Sequence, residues 1–466
     1  MPLALAVIFT ALIPKTADAH GFGMRYDLPL PLDYFIAGGA AVVLFSFVIA
    51  AIFLRPARET TSYPIRDLSG TWLGRVAACP ALQNASRVFG VFVFLLTLLA
   101  GYIGAPNPYK NISIVMVWVI AWVGIAYLSA LLGNVWSVLN PWSTLFRWAQ
   151  LLGLKTLDLP YPAWLGAWPG FVQLFIFAWL EINWPGSGVP INVAIALTLF
   201  TAVTWVGMFL VGRETWARNG GMFVMVFALF ARFGIFEMRD GKLHLRPPAV
   251  GLLSTRPATF SEIAFIILIL ATVTYDGFTE TELFQTLALA LYEPLQGLGS
   301  IAVTLVSTIG LASFPALFIA AYLIVAALIR AMGSTRVPFE RVAGSFVYSL
   351  IPIAIAYHLA HYLSLLVFEG QNVVALLSDP FGYGWDLFGT AAYRVDLTVM
   401  DAEFLWFFSV AAIVLGHVAA VYLAHVEAMA LFGTRRAALR SQIPMLALMI
   451  GYTMISLWIV AQPIVG

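Results

Sequence analysis

Long, unbroken apolar runs constrain this chain more than any other feature. They lie near Phe35–Leu54, Val88–Ile103, Ile112–Leu132, Trp164–Ile182, Ile191–Val211, Phe260–Tyr275, Ile301–Ile329, Val342–Phe368, Leu405–Met429 and Pro444–Val465. A helix needs about 20 such residues to cross a bilayer. Inside hydrocarbon every backbone N–H and C=O must find a partner within the protein, so only helices and closed barrels cross. These runs are continuous rather than alternating, which selects helices. The expected fold is therefore all-α, a polytopic transmembrane bundle of about ten spans. Charge supports this: only 10% of the 466 residues are charged, against about 25% in soluble domains. That leaves too little charge to cover a water-facing surface and excludes soluble and disordered classes. The 24 basic and 23 acidic residues nearly cancel, so no nucleic-acid partner is implied. The single cysteine, Cys79, excludes an intramolecular disulfide and a thiolate metal cluster.

The first 19 residues read as a secretory signal. Their apolar core, Leu3–Ile13, is too short to span, and Ala17-Asp18-Ala19 fits a signal-peptidase site. Cleavage there divides the chain into a signal peptide, 1–19, and one transmembrane domain, 20–466, with His20 outside as its first residue. A free amine and an imidazole on one residue form a chelate suited to copper. Basic residues then sort to the inner segments 55–87, 133–163 and 212–259 and to the Arg435, Arg436 and Arg440 cluster. Acidic residues collect in two long outer loops, 276–300 and 369–404. This is the positive-inside pattern. An eleventh run, Met222–Phe236, would invert the pattern if it crossed, so it is expected to be re-entrant or to lie at the inner interface. Asp240-Gly241, just beyond it, predicts a tight hairpin.

Ionisable side chains within spans are costly and mark candidate sites. His358 and His361, three residues apart, share one helix face. They fall roughly 10–15 Å below the outer interface, and His417 reaches nearly the same depth on the next span. These three imidazoles are the candidate ligands of a divalent metal, zinc or copper, with His20 as a possible fourth. Three histidines leave a coordination position open for chemistry. Asp276 and Glu369 are candidate catalytic bases. A haem held between histidines of the two spans is the geometric alternative. His425 lies deeper, and His244 falls in the inner hairpin. Glu181 is placed at a membrane interface beside Trp179 and Trp184, and Asn134 between packed helices.

The segment His20-Gly21-Phe22-Gly23-Met24-Arg25-Tyr26-Asp27-Leu28-Pro29-Leu30-Pro31-Leu32 resembles the mature start of bacterial membrane proteins labelled fenitrothion hydrolase. Asn134-Val135-Trp136 followed by Asn140-Pro141-Trp142 is similar to the same family. The resemblance implies a multi-pass protein of the bacterial inner membrane. It also implies hydrolysis of an apolar organophosphorus triester with release of a nitrophenol. It carries over no active-site residue. The expected partners are a small apolar substrate and the lipid bilayer. The competing classes are a membrane transporter or metal-handling protein, and a haem-bearing redox membrane protein.

Overall fold

The computed structural model describes residues 26–53, 63–253 and 256–462; residues 1–19, expected to be a signal peptide, and His20 lie outside them. Among the described residues nine helices are long and apolar enough to cross a membrane: α1 Leu32–Phe53, α2 Pro80–Ile103, α3 Ile112–Leu131, α4 Pro190–Val211, α5 Phe260–Thr279, α6 Ser300–Gly333, α7 Phe339–Ser378, α8 Ala402–Leu431 and α9 Arg435–Ala461. The chain is a multi-pass helical membrane protein.

The tenth expected span is shorter than its apolar run. Gly166 takes a left-handed φ of 42°, Pro169 occupies the first turn, and the helix covers only Trp168–Ile182, 15 residues. At about 1.5 Å per residue this is roughly 22 Å, less than a full hydrocarbon core. Met222–Ala231 is shorter still, with 10 residues. It runs into an antiparallel hairpin, β2 Phe236–Arg239 and β3 Lys242–Leu245. Asp240 and Gly241 both have positive φ at the turn, as a two-residue hairpin requires. The strand β1, Arg66–Asp67, joins β3 to make a three-stranded sheet in the order β1-β3-β2, a pairing the sequence did not announce.

Several helix ends are set by side-chain caps. Thr259 and Glu262 form a reciprocal capping box at the start of α5. Asn140 accepts from Ser143 N at 3.0 Å and caps Pro141–Leu151. Asn134 likewise accepts from Ser137 N at 3.2 Å. It serves its own turn rather than joining two helices.

Burial ranks the spans. Within their apolar windows α5 is 83% buried and α7 72%, whereas α1 is 17% and α4 and α6 are each 28%. Two helices are therefore interior, and the rest form a surrounding layer whose outer faces are left for lipid. α5 packs on α6, α7 and the Trp168–Ile182 helix; α7 packs along α8, and α8 along α9. Between membrane helices lipid competes equally for apolar surface, so close approach at small residues decides the pairing. At Gly416 of α8 a Cβ would lie 2.3 Å from Ala356 Cβ and 2.8 Å from Pro352 O of α7. At Gly101 of α2 it would lie 2.7 Å from Ala194 Cβ of α4. An aromatic cluster fills the other half of the interior, with Trp142 stacked on Phe223 at 5.7 Å and Trp136 edge-on to Phe227 at 5.3 Å. Trp136 and Trp142 belong to the segment that carries the family resemblance.

Candidate functional site

The site forms where the two interior helices meet. Asp276 lies in the last turns of α5, 7% exposed, not in an outer loop. From α7, His361 Nε2 contacts Asp276 Oδ2 at 2.9 Å, and the Tyr362 hydroxyl donates to the same oxygen at 3.0 Å. A carboxylate inside hydrocarbon is expensive unless charge-assisted bonds offset its lost hydration, and here two groups share that role. Glu181, placed at an interface by the sequence, stands one residue before the end of its helix and is partly exposed. It comes from the short Trp168–Ile182 helix, which packs directly on α5.

Gly277 leaves room at the other edge of the imidazole. A Cβ there would stand 2.8 Å from Tyr357 Oη and 3.6 Å from His361 Nδ1. Tyr357 and His361 lie nearly parallel, their ring centroids 6.3 Å apart.

His358 turns another way. It is 1% exposed in an aromatic cage of Trp122 at 5.5 Å, Tyr127 at 5.8 Å, Phe230 at 5.9 Å and Tyr362 at 4.8 Å between ring centroids. Among the described residues neither of its ring nitrogens has a hydrogen-bond partner. Tyr362 therefore lies between the two histidines, 4.8 Å from His358 and 4.7 Å from His361. The cage wall belongs to α3, where Val115–Gly124 is wound as a π-helix. Such segments are rare and recur at functional sites. This one sets Trp122 toward His358, and Tyr127 just beyond it donates to Leu359 O at 2.8 Å.

His417 follows Gly416, the point where α8 closes on α7, and its ring faces Tyr452 of α9 at 5.8 Å. Its Nδ1 donates to Ile413 O at 2.8 Å, which leaves Nε2 as a buried acceptor without a partner among the described residues. His425 pairs with Gln442 at 3.0 Å, also between α8 and α9. Glu369 accepts from Asn372 Nδ2 at 2.8 Å. It sits about 12 Å farther along α7 than His361.

The structure thus joins Asp276 to His361 and directs His358, His417 and Glu369 to separate neighbours. Among the described residues no three His, Cys, Asp or Glu side chains are grouped so that they could hold a metal ion. The participants missed from sequence are Tyr362, Trp122 and Tyr127. Only the tyrosines flanking the histidine pair gave a local signal.

Comparison with protein-family models, with curated proteins and with solved structures returned no match. The class that fold and site define is a multi-pass helical membrane protein with an interior Asp–His–Tyr unit.

Proposed function

We propose that this protein hydrolyses a small apolar organophosphorus triester within the membrane, with Asp276, His361 and Tyr362 as its acid–base unit. The observation that supports this most is one carboxylate oxygen, Asp276 Oδ2, shared by an imidazole and a phenol in the bundle interior. A carboxylate that fixes an imidazole and offsets its positive charge makes it a competent base. In this reading His361 takes a proton from water as the water oxygen bonds to phosphorus. The phosphorus–aryloxy bond breaks, and its electron pair leaves on the nitrophenolate. The reaction class comes from the family resemblance; the residue roles come from the geometry.

The test is nitrophenol release by purified protein in lipid nanodiscs. His361→Ala should lower turnover by about 10²–10⁴, the usual worth of a positioned base. Unchanged turnover would overturn the assignment.

A divalent metal, zinc or copper, bound through His358, His361, His417 or His20 is a separate part of the proposal. Elemental analysis checks it, and less than one equivalent per chain removes it. Signal cleavage, an outward His20 and a bacterial inner-membrane location complete the proposal. They are supported by the sorted charges and checked by N-terminal sequencing.

A second reading, a transporter that moves protons with its substrate, is favoured by the Asp276–His361 pair, two proton-exchanging groups 2.9 Å apart in the bundle interior. Uptake into proteoliposomes without product formation would select it over hydrolysis. A Soret band in the purified protein would select the haem-bearing alternative instead.

A further inference from the structure

Residues 381–388, Phe-Gly-Tyr-Gly-Trp-Asp-Leu-Phe, belong to the long connection between α7 and α8. Four of their side chains are large and well exposed: Tyr383 51%, Trp385 43%, Leu387 61% and Phe388 71%. A contiguous exposed patch of this kind marks an interaction surface. Two observations say what covers it. The first is its height. The Tyr383 hydroxyl donates to the carbonyl of Ile103, the last residue of α2. Ile112 N, at the start of α3, donates to Pro380 O at 3.1 Å, and Ala105 N to Phe381 O at 2.7 Å. From Arg87, the one charged residue of α2, to Ile103 the helix rises about 24 Å. The 20 residues of α3 rise about 30 Å. A hydrocarbon core is about 30 Å thick, so both helices end near its boundary, and the loop bonded to their ends lies at that level. Leu99 and Ile103 on the last turns of α2 are 51% and 59% exposed, so the patch continues a lipid-facing helix.

The second observation is the backbone. Where water is scarce, irregular chain is tolerated only if the protein pairs its amides. Asp379 accepts from Tyr383 N at 2.9 Å and from Gly384 N at 2.7 Å. Leu387 N donates to Ser378 O at 3.2 Å, and the buried Ser378 hydroxyl accepts from Phe388 N at 3.1 Å and Thr390 N at 3.2 Å. The rings of Phe381, Tyr383 and Trp385 pack on one another with centroids 5.5–5.7 Å apart. The loop is thus a fixed platform with amides turned to protein and apolar side chains left uncovered.

We propose that Tyr383–Phe388 is an interfacial anchor, seated in the boundary between headgroups and acyl chains of the bilayer beside α2. Tyrosine and tryptophan favour this level because each ring has an apolar body and a polar edge. Asp386, the one charge of the segment, is exposed and accepts from Ala391 N at 3.0 Å; a charge suits hydrated headgroups and not a deeper position. The segment has no basic residue, so anionic lipid gains nothing there and a zwitterionic phospholipid surface suffices. The assignment does not depend on the hydrolase reading.

The experiment uses the unaltered protein in phosphatidylcholine nanodiscs with two photoreactive phosphatidylcholines. One carries its diazirine beside the glycerol backbone, the other at the acyl-chain end. Peptide mass spectrometry should find residues 381–388 tagged by the shallow reagent and not by the deep one, without any anionic lipid present. In a second measurement, a nitroxide attached through Phe388→Cys on a Cys79→Ser background should be relaxed more by oxygen, which concentrates in lipid, than by a water-soluble nickel chelate. Tagging by neither reagent, or stronger tagging by the deep one, overturns the proposal. So does greater relaxation by nickel, which puts the loop in water, or protection from both relaxants, which means that a second copy or another protein covers it. The photolabelling needs no substitution, so it decides the matter even if a variant fails to fold.

Discussion

Asp276 shows how one residue's chemistry depends on its neighbours. Its Oδ2 receives both His361 and Tyr362. Replacing Tyr362 with Phe removes one donor and keeps the ring between His358 and His361. Tyr362→Phe should therefore retain the fold and reduce nitrophenol release by roughly tenfold, about the value of one charge-assisted bond. His361→Ala should cost far more. Similar losses in the two variants would show that the imidazole adds nothing beyond what the phenol does. Of these three residues, His361 was legible as a rare ionisable group within a span, whereas Asp276 was read as a candidate base at the start of an outer loop and proved to lie inside α5. Tyr362 was not legible, because a tyrosine in a span is ordinary until its hydroxyl is seen to face a carboxylate. Glu181 stands one residue before the end of its helix, where the tryptophans beside it fit an interfacial belt, and that helix also packs on α5.

Among the elements, the short Met222–Ala231 helix shows how a span-like run ends inside the protein. Its last carbonyls have no helical partners. Arg246, which follows β3, donates to Ala231 O at 2.8 Å and to Gly234 O at 3.1 Å, and pairs with Glu237 at 3.1 Å. Arg232 bonds Gly251 O at 2.8 Å while its guanidinium lies over Tyr348 at 4.6 Å. Arginines thus close the helix end and tie it to the sheet. Arg246→Met should keep the stem and lose these bonds. That should cost about 1.5–3 kcal/mol and lower the thermal unfolding midpoint; an unchanged midpoint would show that the cap carries no weight. The charge pattern implied that this run does not cross; the helix has 10 residues, against the roughly 20 a crossing helix needs. Its cap was not legible, because Arg246 lies well beyond the helix it closes.

In the whole molecule, the arrangement depends on which helices are interior. α5 and α7 bring Asp276 and His361 together, while the close contact at Gly416 fixes how α8 lies against α7. Gly416→Leu would force side-chain atoms into Ala356 and the Pro352 carbonyl. It should destabilise the protein by about 1–3 kcal/mol, as overpacked cores do. It should also separate α8 from α7, while His361 stays with Asp276, since that pair lies between α5 and α7. Wild-type thermal stability in this variant would refute the packing role given to Gly416.

Hydropathy alone determined that the chain is a mainly helical, multi-pass membrane protein, because hydrocarbon imposes one rule on every apolar run: satisfy the backbone internally. It also singled out the few ionisable residues within spans. Sequence spacing placed His358, His361 and His417 at matching depths, but depth is only one coordinate. Rotation about each helix axis is set by neighbours distant in sequence. The close contact at Gly416 leaves His417 facing α9, and Tyr362 and Trp122 enclose His358. Only the tertiary structure could decide that His361 meets Asp276 while the other histidines face elsewhere, because a span's rotation follows from packing against other helices and not from its own residues.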